Sequence, residues 1–358
     1  MSGRDKPNRR RLRWVTGWGL ARIGAFLTVL IATFMWGFHM MVEMPGRSYT
    51  GPLLPLSEHE RRLRDNLRRH VEKLAGEIGE RNVERPTALR AAADTVAEAF
   101  AAAGYTPVRQ TFSVKGVECQ NIEVERPGTT RPYEIVVVGG HYDSVHGCPG
   151  ANDNGTGTAA VLELARLFAN KELQRTLRFV AFTNEEPPHF QTETMGSRIY
   201  AARCASRGDN IVSMVSLETM GFFSDEEESQ RYPPLLSRLY PSTGNFIGFV
   251  GNVSSRKLVR KAIETFREQT KFPSEGGAII DAIPGIGWSD HWSFWQEGYP
   301  AIMVTDTAPF RYPHYHLPTD TPDKIDYDRL ARVIAGIERV IEMLADSTET
   351  YGEMAKKQ

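Results

Sequence analysis

Three apolar runs of this chain end in side chains that can ligate a metal or move a proton. Residues 134–138 (EIVVV) lead through Gly139 and Gly140 into His141, Tyr142 and Asp143. Residues 177–182 lead into Glu185 and Glu186, and residues 211–217 into Glu218. A strand has to surface somewhere, so one carboxylate at its end is unremarkable. Three such ends, with an imidazole and a doubled glutamate among them, point to a site, because open α/β sheets bind ligands where the carboxyl ends of their strands emerge. Imidazole nitrogen with carboxylate oxygen is a zinc donor set, and a carboxylate not spent on a metal can serve as general base. Three further segments carry similar groups: Asp153 in GANDNGTG (150–157), Asp290 in the run Trp288-Ser289-Asp290-His291, and His316 in HYHLPTDT (314–321). Each has a plainer reading, since Asp153, Asp290 and Asp320 can each cap a helix. Hydrolysis by a Ser-His-Asp triad fits less well: there is no G-x-S-x-G elbow, and Ser144 lies in the His141 loop without a nucleophile motif.

The elements that must position these groups follow from hydrophobic periodicity. Residues 57–78 carry Leu63, Leu67, Val71 and Leu74 on one helical stripe, and Pro86 opens a second helix over 87–103, closed by Gly104. From there strands and helices alternate. Strands are expected at 108–114, 121–124, 134–138, 177–182, 211–217, 246–250 and 301–304, with helices at 157–168, 196–205, 255–269 and 327–344. Buried β-branched runs alternating with helices predict an α/β fold, with a mostly parallel mixed central sheet covered by helices on both faces.

The N-terminus reads as a membrane segment. Arg4, Lys6, Arg9, Arg10, Arg11 and Arg13 precede a stretch from Ile23 to Val42 that has no acidic residue, lysine or arginine. About 20 apolar residues at ~1.5 Å each span a ~30 Å hydrocarbon core. The basic flank comes first, which leaves the N-terminus in the cytoplasm and exports the rest to the periplasm or cell exterior. A cleaved signal peptide is the alternative, but its apolar region runs to about 7–15 residues and ends at small residues. Here the run is longer and ends in Met-Met-Val-Glu-Met-Pro. The expected organisation is a basic segment (1–17), a transmembrane signal-anchor helix (18–43) that partners the lipid bilayer, a linker (44–55), one catalytic domain (56–346) and a tail (347–358).

Composition narrows the class without naming the chemistry. The 358 residues hold 43 Lys+Arg against 44 Asp+Glu, a balance that argues against nucleic acid as a partner. Three cysteines, Cys119, Cys148 and Cys204, are too few for a disulfide scaffold, although export permits one bridge among them.

Taken together, GGHYDS, GANDNGTG, the Asn184-Glu185-Glu186 tripeptide, SLETMG, WSDH and YHLPTDT, in this order and spacing, resemble the co-catalytic zinc peptidases of metallopeptidase family 28, a family that includes aminopeptidases, glutaminyl cyclases and glutamate carboxypeptidases. The resemblance covers about residues 89–341. It implies two Zn²⁺ ions per chain bridged by Asp153, with His141 and Glu218 completing one and Glu186 and His316 the other. It also implies Glu185 as the general base for a metal-bridging hydroxide, and a peptide as substrate. His316, rather than His314, matches the family's His-x-x-x-Asp-Thr pattern. Asn154 stands where some relatives have a second Asp, which raises the question of what orients His141, and Asp143 and Asp290 are candidates for that supporting work or for substrate contact. The expected activity is that of a membrane-anchored aminopeptidase. Glutaminyl cyclisation at one zinc, a metallocarboxypeptidase using Arg198 or Arg311, and a non-catalytic binding ectodomain are the rivals.

Overall fold

The computed structural model of the protein describes residues 17–234 and 236–351. The basic cluster from Arg4 to Arg13 lies outside these residues. Helix α1 (Gly17–Val42) is apolar, with Phe26, Leu30 and Phe34 exposed along it, and its 26 residues make it long enough to cross a bilayer.

From Val42 onward the chain forms a second unit of its own. Its first segment is fastened to the rest of that unit: Arg260 donates to the Glu43 carbonyl, Arg267 to those of Met44, Pro45 and Gly46, and Arg332 to that of Leu54. Ser57 then starts α2 (Glu58–Val71) with a reciprocal cap, its hydroxyl accepting from the Glu60 amide while Glu60 accepts from the Ser57 amide. The helix continues through a wider turn at Glu72–Ile78, and α3 (Pro86–Ala102) opens on its proline.

Eight strands follow: β1 (Val108–Val114), β2 (Val117–Arg126), β3 (Arg131–His141), β4 (Arg175–Phe182), β5 (Asn210–Glu218), β6 (Ile247–Gly251), β7 (Ser274–Ala278) and β8 (Ala301–Thr305). Between them lie α4 (Gly157–Phe168), α5 (Gly196–Arg207), α6 (Arg256–Gln269) and α7 (His291–Gln296), and α8 (Tyr327–Asp346) closes the unit. The strands form one sheet in the order β1-β2-β4-β3-β5-β8-β6-β7. The middle four, β4, β3, β5 and β8, are mutually parallel, so all four send their carboxyl ends to one edge. Strands β6 and β7 are parallel to each other and antiparallel to β8.

Side-chain alternation divides the core between two faces. Val136 and Val138 of β3 join the larger cluster with α2, α3, α4, α6 and α8, while Ile135 and Val137 join a smaller one with α5 and α7. The mixed sheet with helices on both faces is therefore as the sequence predicts, and three strands differ in detail. β3 runs three residues beyond 134–138 at each end. β2 is longer than 121–124 because its ends pair with β1 and β4. β7, with sequence SEGGA, was not foreseen. Its glycines give no apolar alternation, yet they permit close packing: a Cβ at Gly276 would lie 2.9 Å from Ile263 and 3.1 Å from Met44. All three cysteines are buried free thiols, so the permitted bridge is not formed.

One buried carboxylate ties α2 to α4, the helix that follows the Asp153 loop. Glu163 of α4 accepts from Asn66 at 2.8 Å and from Arg166, and lies 3.3 Å from His70 Nε2. Burial works against its ionised form, but His70, Arg166 and Asn66 outweigh it and hold its pKa down at about 2. A depressed carboxylate stabilises the fold above its unfolded pKa and loses that contribution as pH falls through the folded value. Glu163→Gln should therefore cost about 3 kcal/mol near pH 7 in urea unfolding, with the difference from wild type shrinking between pH ~4.5 and ~2. A penalty independent of pH would contradict this role.

Candidate metal centre

The parallel strands deliver the site residues to their shared carboxyl edge. His141 is the last residue of β3 and Glu218 the last of β5, while Glu185 and Glu186 follow β4 after Thr183 and Asn184. Asp153 comes from the loop before α4, which must lie against the end of β5. Two glycines make that approach possible: a Cβ at Gly140 would sit 2.8 Å from the Leu217 carbonyl oxygen, and one at Gly157 would sit 2.2 Å from it. Asn154 clips the loop in place. Its Oδ1 accepts from the amides of Gly157 and Thr219, both at 3.0 Å, and its Nδ2 donates to the Leu217 carbonyl at 2.8 Å. A carboxylate at position 154 would lack that donor. Asp153 itself has non-helical backbone angles and turns its carboxylate toward the strand ends, so the helix-cap reading does not hold.

The two oxygens of Asp153 face different imidazoles. Oδ1 is 3.5 Å from His141 Nε2, and Oδ2 is 3.1 Å from His316 Nε2. Around the first imidazole stand Glu218 Oε2 at 3.3 Å and Glu185 Oε2 at 3.7 Å; beside the second stands Glu186 Oε2 at 3.2 Å. His141, Asp153 and Glu218 thus form one group able to hold a metal, and Asp153, Glu186 and His316 another, with Asp153 common to both; His141, Glu185 and Glu186 form a third, overlapping group without Asp153. Buried polar atoms normally have hydrogen-bond partners. Here both ring nitrogens of His141, His316 Nε2 and Glu186 Oε1 have none. Of these, His141 Nδ1 faces Asp143, while His141 Nε2 and His316 Nε2 face the two oxygens of Asp153, and the residues fit a pair of divalent cations.

The electrostatics agree. Burial, with Asp153 beside it, pushes the Glu186 carboxyl up to about 7, and burial also drives Glu185 well above the usual carboxylate range despite His141 nearby. Glu218 is raised by the same loss of solvent. His316 goes the other way: its partial burial is outweighed by Asp153 and Glu186, which hold it up at about 10. The cluster concentrates more negative charge than its two imidazoles can balance.

Supporting residues lie around this core. Asp143 Oδ1 stands 3.4 Å from His141 Nδ1, and the Asp143 carboxylate accepts from the amides of Glu185 and Glu186, fixing the direction of the glutamate pair. Ser289 donates to Glu218 at 2.7 Å. Asp290 is fully buried, and burial pushes it up to about 7. Its side chain makes no cap bond to α7, and the Ser197 hydroxyl is the polar group that helps to hold its charge. Asp320, expected only as a cap or as part of a pattern, accepts from the amides of Asn152 at 2.8 Å and Asp153 at 3.1 Å and from the Tyr312 hydroxyl at 2.8 Å. Arg81, which sequence reasoning missed, is wholly buried and donates to the carbonyls of Tyr142, Pro149 and Gly150, joining the His141 and Asp153 loops. Only a helix-breaking IGERN segment marked it in the sequence, and nothing there points to carbonyls some 60 residues away. His146, His189 and His314 engage glutamate or threonine side chains outside the cluster.

An apolar cavity adjoins the site. Helices α5 and α7 cover the second face of the sheet only as far as β8, and over β6 and β7 loops take their place. Tyr232 stacks with Tyr240 and Trp288 with Phe310 to wall the space, which opens onto Glu218 and Tyr315. Of the aromatics near the sequence motifs, Trp288 lines the cavity, whereas Phe223 and Phe294 belong to the cores.

The chain belongs to peptidase family M28, whose model matches residues 121–341. It is 33% identical over 282 residues to YfbL of Escherichia coli (strain K12), covering 76% of this chain and 86% of that one. It is 28% identical over 223 residues to leucine aminopeptidase 1 of Arthroderma otae, covering 58% of this chain and 54% of the fungal protein, so it spans about half the length of that relative. Among solved structures it resembles BSAP, a zinc aminopeptidase from Bacillus subtilis, with a TM-score of 0.65 at 16% identity over 80% of this chain and 96% of that one. A glutaminyl cyclase from Fimbriiglobus ruber gives a TM-score of 0.59 at 22% identity over 84% and 99% of the two chains. The two structural likenesses show the shared fold, and family and relatives together make the chain a zinc metallopeptidase by kinship.

Asp320 offers a test of how the loop is held. Asp320→Ala strands two buried amides and should cost about 3 kcal/mol or more, whereas Tyr312→Phe, which removes one donor, should cost about 1 kcal/mol. Equal losses in denaturant unfolding would show that the backbone contacts contribute nothing.

Proposed function

We propose that this member of family M28 is a membrane-anchored aminopeptidase that holds two zinc ions and releases N-terminal residues from peptides. The observation that carries the reading is the single carboxylate of Asp153 set between two imidazoles, each with a further glutamate beside it. His141, Asp153 and Glu218 would hold one ion, and Asp153, Glu186 and His316 the other. Zinc in such a place supplies Lewis acidity, making water acidic enough to act near neutral pH and drawing charge from a carbonyl oxygen.

The chain's own residues do the rest. Glu185 belongs to neither of the two groups that share Asp153, and its carboxylate sits at their edge, 3.7 Å from His141, although with His141 and Glu186 it makes a third set of atoms close enough to hold an ion. There it takes a proton from the attacking water and passes it to the departing amine. Asp143 keeps Glu185 and Glu186 pointing to different tasks by accepting from both their amides. The apolar walls beside Glu218 exclude water from the face on which the substrate side chain rests. Helix α1 serves as the anchor, and the basic residues before it keep the N-terminus cytoplasmic, so the catalytic domain (56–346) works on the periplasmic or outer side.

A carboxypeptidase would need a basic group free to take a terminal carboxylate. Arg198 is paired with Glu297; Arg311 is buried behind Phe246, donating through Nε to Gln230 and through Nη1 to the Phe246 carbonyl, with Nη2 lacking a hydrogen-bond partner among the described residues. Glutaminyl cyclisation finds support in the likeness to the Fimbriiglobus ruber enzyme. It predicts one zinc per chain and no release of amino acids from aminoacyl amides.

Glu185→Gln should lower kcat for aminoacyl amides by about 10²–10⁴-fold with zinc content nearly unchanged in metal analysis. Retained turnover would remove Glu185 from the role of base. His316→Ala should lose one ion while keeping the other, and full occupancy of both would refute the ligand assignment.

A further inference from the structure

The cavity beside Glu218 has a direction built into the sheet. Glu218 of β5 pairs with Thr305 of β8, Thr305 with Gly248 of β6, and Gly248 with Glu275 of β7. Residues in register on neighbouring strands project to the same face. A carboxylate therefore stands at each end of a row three strand spacings long, about 14 Å at ~4.8 Å per strand. Between them Thr305 is short and Gly248 has no side chain, so the row is a trough rather than a ridge. Its walls are the aromatic pairs already described, and among the described residues its lining includes no lysine, arginine or histidine. The nearby base Arg311 lies behind Phe246 and Gln230, so an acidic side chain would meet no cation in the lining itself. A leucine or phenylalanine would fill the near part and not reach Glu275.

We infer that this trough selects peptides whose N-terminal residue carries a long cationic side chain, arginine or lysine, with the methylene stem along the apolar floor and Glu275 receiving the cation at the far end. The inference rests on the aminopeptidase reading, which places the α-amine and scissile bond at the Glu218 end. Long basic side chains suit such a space, because their stems bury as apolar surface while the charged head seeks a polar partner. Among the described residues the cation paired with Glu275 is Arg267, with Nη2 3.8 Å from Glu275 Oε2, beyond hydrogen-bond length, and the Ser48 hydroxyl donates to the same carboxylate. Arg267 is occupied with the carbonyls of Met44, Pro45, Gly46 and Ser274. Glu275 is partly buried, and burial pushes its carboxyl upward, as suits an acid that meets its cation in a confined space. A second carboxylate at the trough's end makes Glu275 a specificity-determining residue and leaves the bond-breaking groups to the metal edge.

The test uses the full-length, zinc-loaded protein and a set of aminoacyl amides bearing arginine, lysine, leucine, phenylalanine or glutamate. Arginine and lysine should exceed leucine in kcat/KM by about tenfold or more, and Glu275→Gln should lower the arginine-to-leucine ratio by about tenfold. A leucine or phenylalanine preference that Glu275→Gln leaves unaltered overturns the inference. Calorimetric binding of L-argininamide and L-leucinamide to the metal-free chain separates this from failure of the parent reading. If no amide is hydrolysed but argininamide binds more tightly, and Glu275→Gln abolishes the difference, the aminopeptidase reading falls and the cation pocket stands. Equal binding of the two amides overturns the pocket itself.

Discussion

Carboxylates packed together away from water repel one another and lose their hydration, and both effects are expensive unless opposite charge is close at hand. Asp153, Glu185, Glu186 and Glu218 meet that condition at one edge of the sheet with only two imidazoles among them, and the raised carboxyl pKa values of the three glutamates record the shortfall. Much of the surrounding structure serves to hold this unfavourable arrangement still. Asp320 grips the backbone on either side of the Asn152–Asp153 link, Asn154 clips the same loop to β5, and Arg81 ties it to the loop after β3. Divalent cations on the two sides of Asp153 would turn the surplus of charge from a cost into a binding energy. The fold thus spends its rigidity where the charge is.

The sheet explains both the site and the space beside it. Four parallel strands bring His141, Glu185, Glu186 and Glu218 to a common edge. The reversal at β6 then ends the helical cover on one face. Without helices over β6 and β7, loops carrying Tyr232, Tyr240 and Trp288 must roof the sheet, and a loop roof leaves room beneath it that a packed helix would fill. A cavity next to the metal edge is therefore a consequence of topology, while its chemistry is set by the few residues that line it.

Much of this was legible in the sequence. The strand ends that carry His141, Glu185, Glu186 and Glu218 announce themselves because a buried parallel strand reads as a continuous apolar run and its first polar residues mark the emergence. Helix α4 was bounded correctly at both ends for the same reason, its glycine-rich entry being followed by an unbroken apolar face. The roles of Arg81 and Asp320 were not legible, because each acts on backbone groups far away in the chain, and an acceptor carbonyl leaves no trace in residue type. Strand β7 escaped notice because its glycines serve close packing rather than periodicity, and with it went Glu275, whose meaning depends on a register that links three other strands. Asp290 was singled out by motif, but its complete burial is a property of the folded chain alone.

The central claim, that one carboxylate is shared between two cations, is tested most directly by anomalous diffraction at the zinc absorption edge from crystals of the catalytic unit grown with zinc. The account predicts two peaks flanking Asp153, one contacted by His141 and Glu218 and the other by Glu186 and His316, with Glu185 touching neither. A single peak at full occupancy, or two peaks not separated by the Asp153 carboxylate, would contradict it.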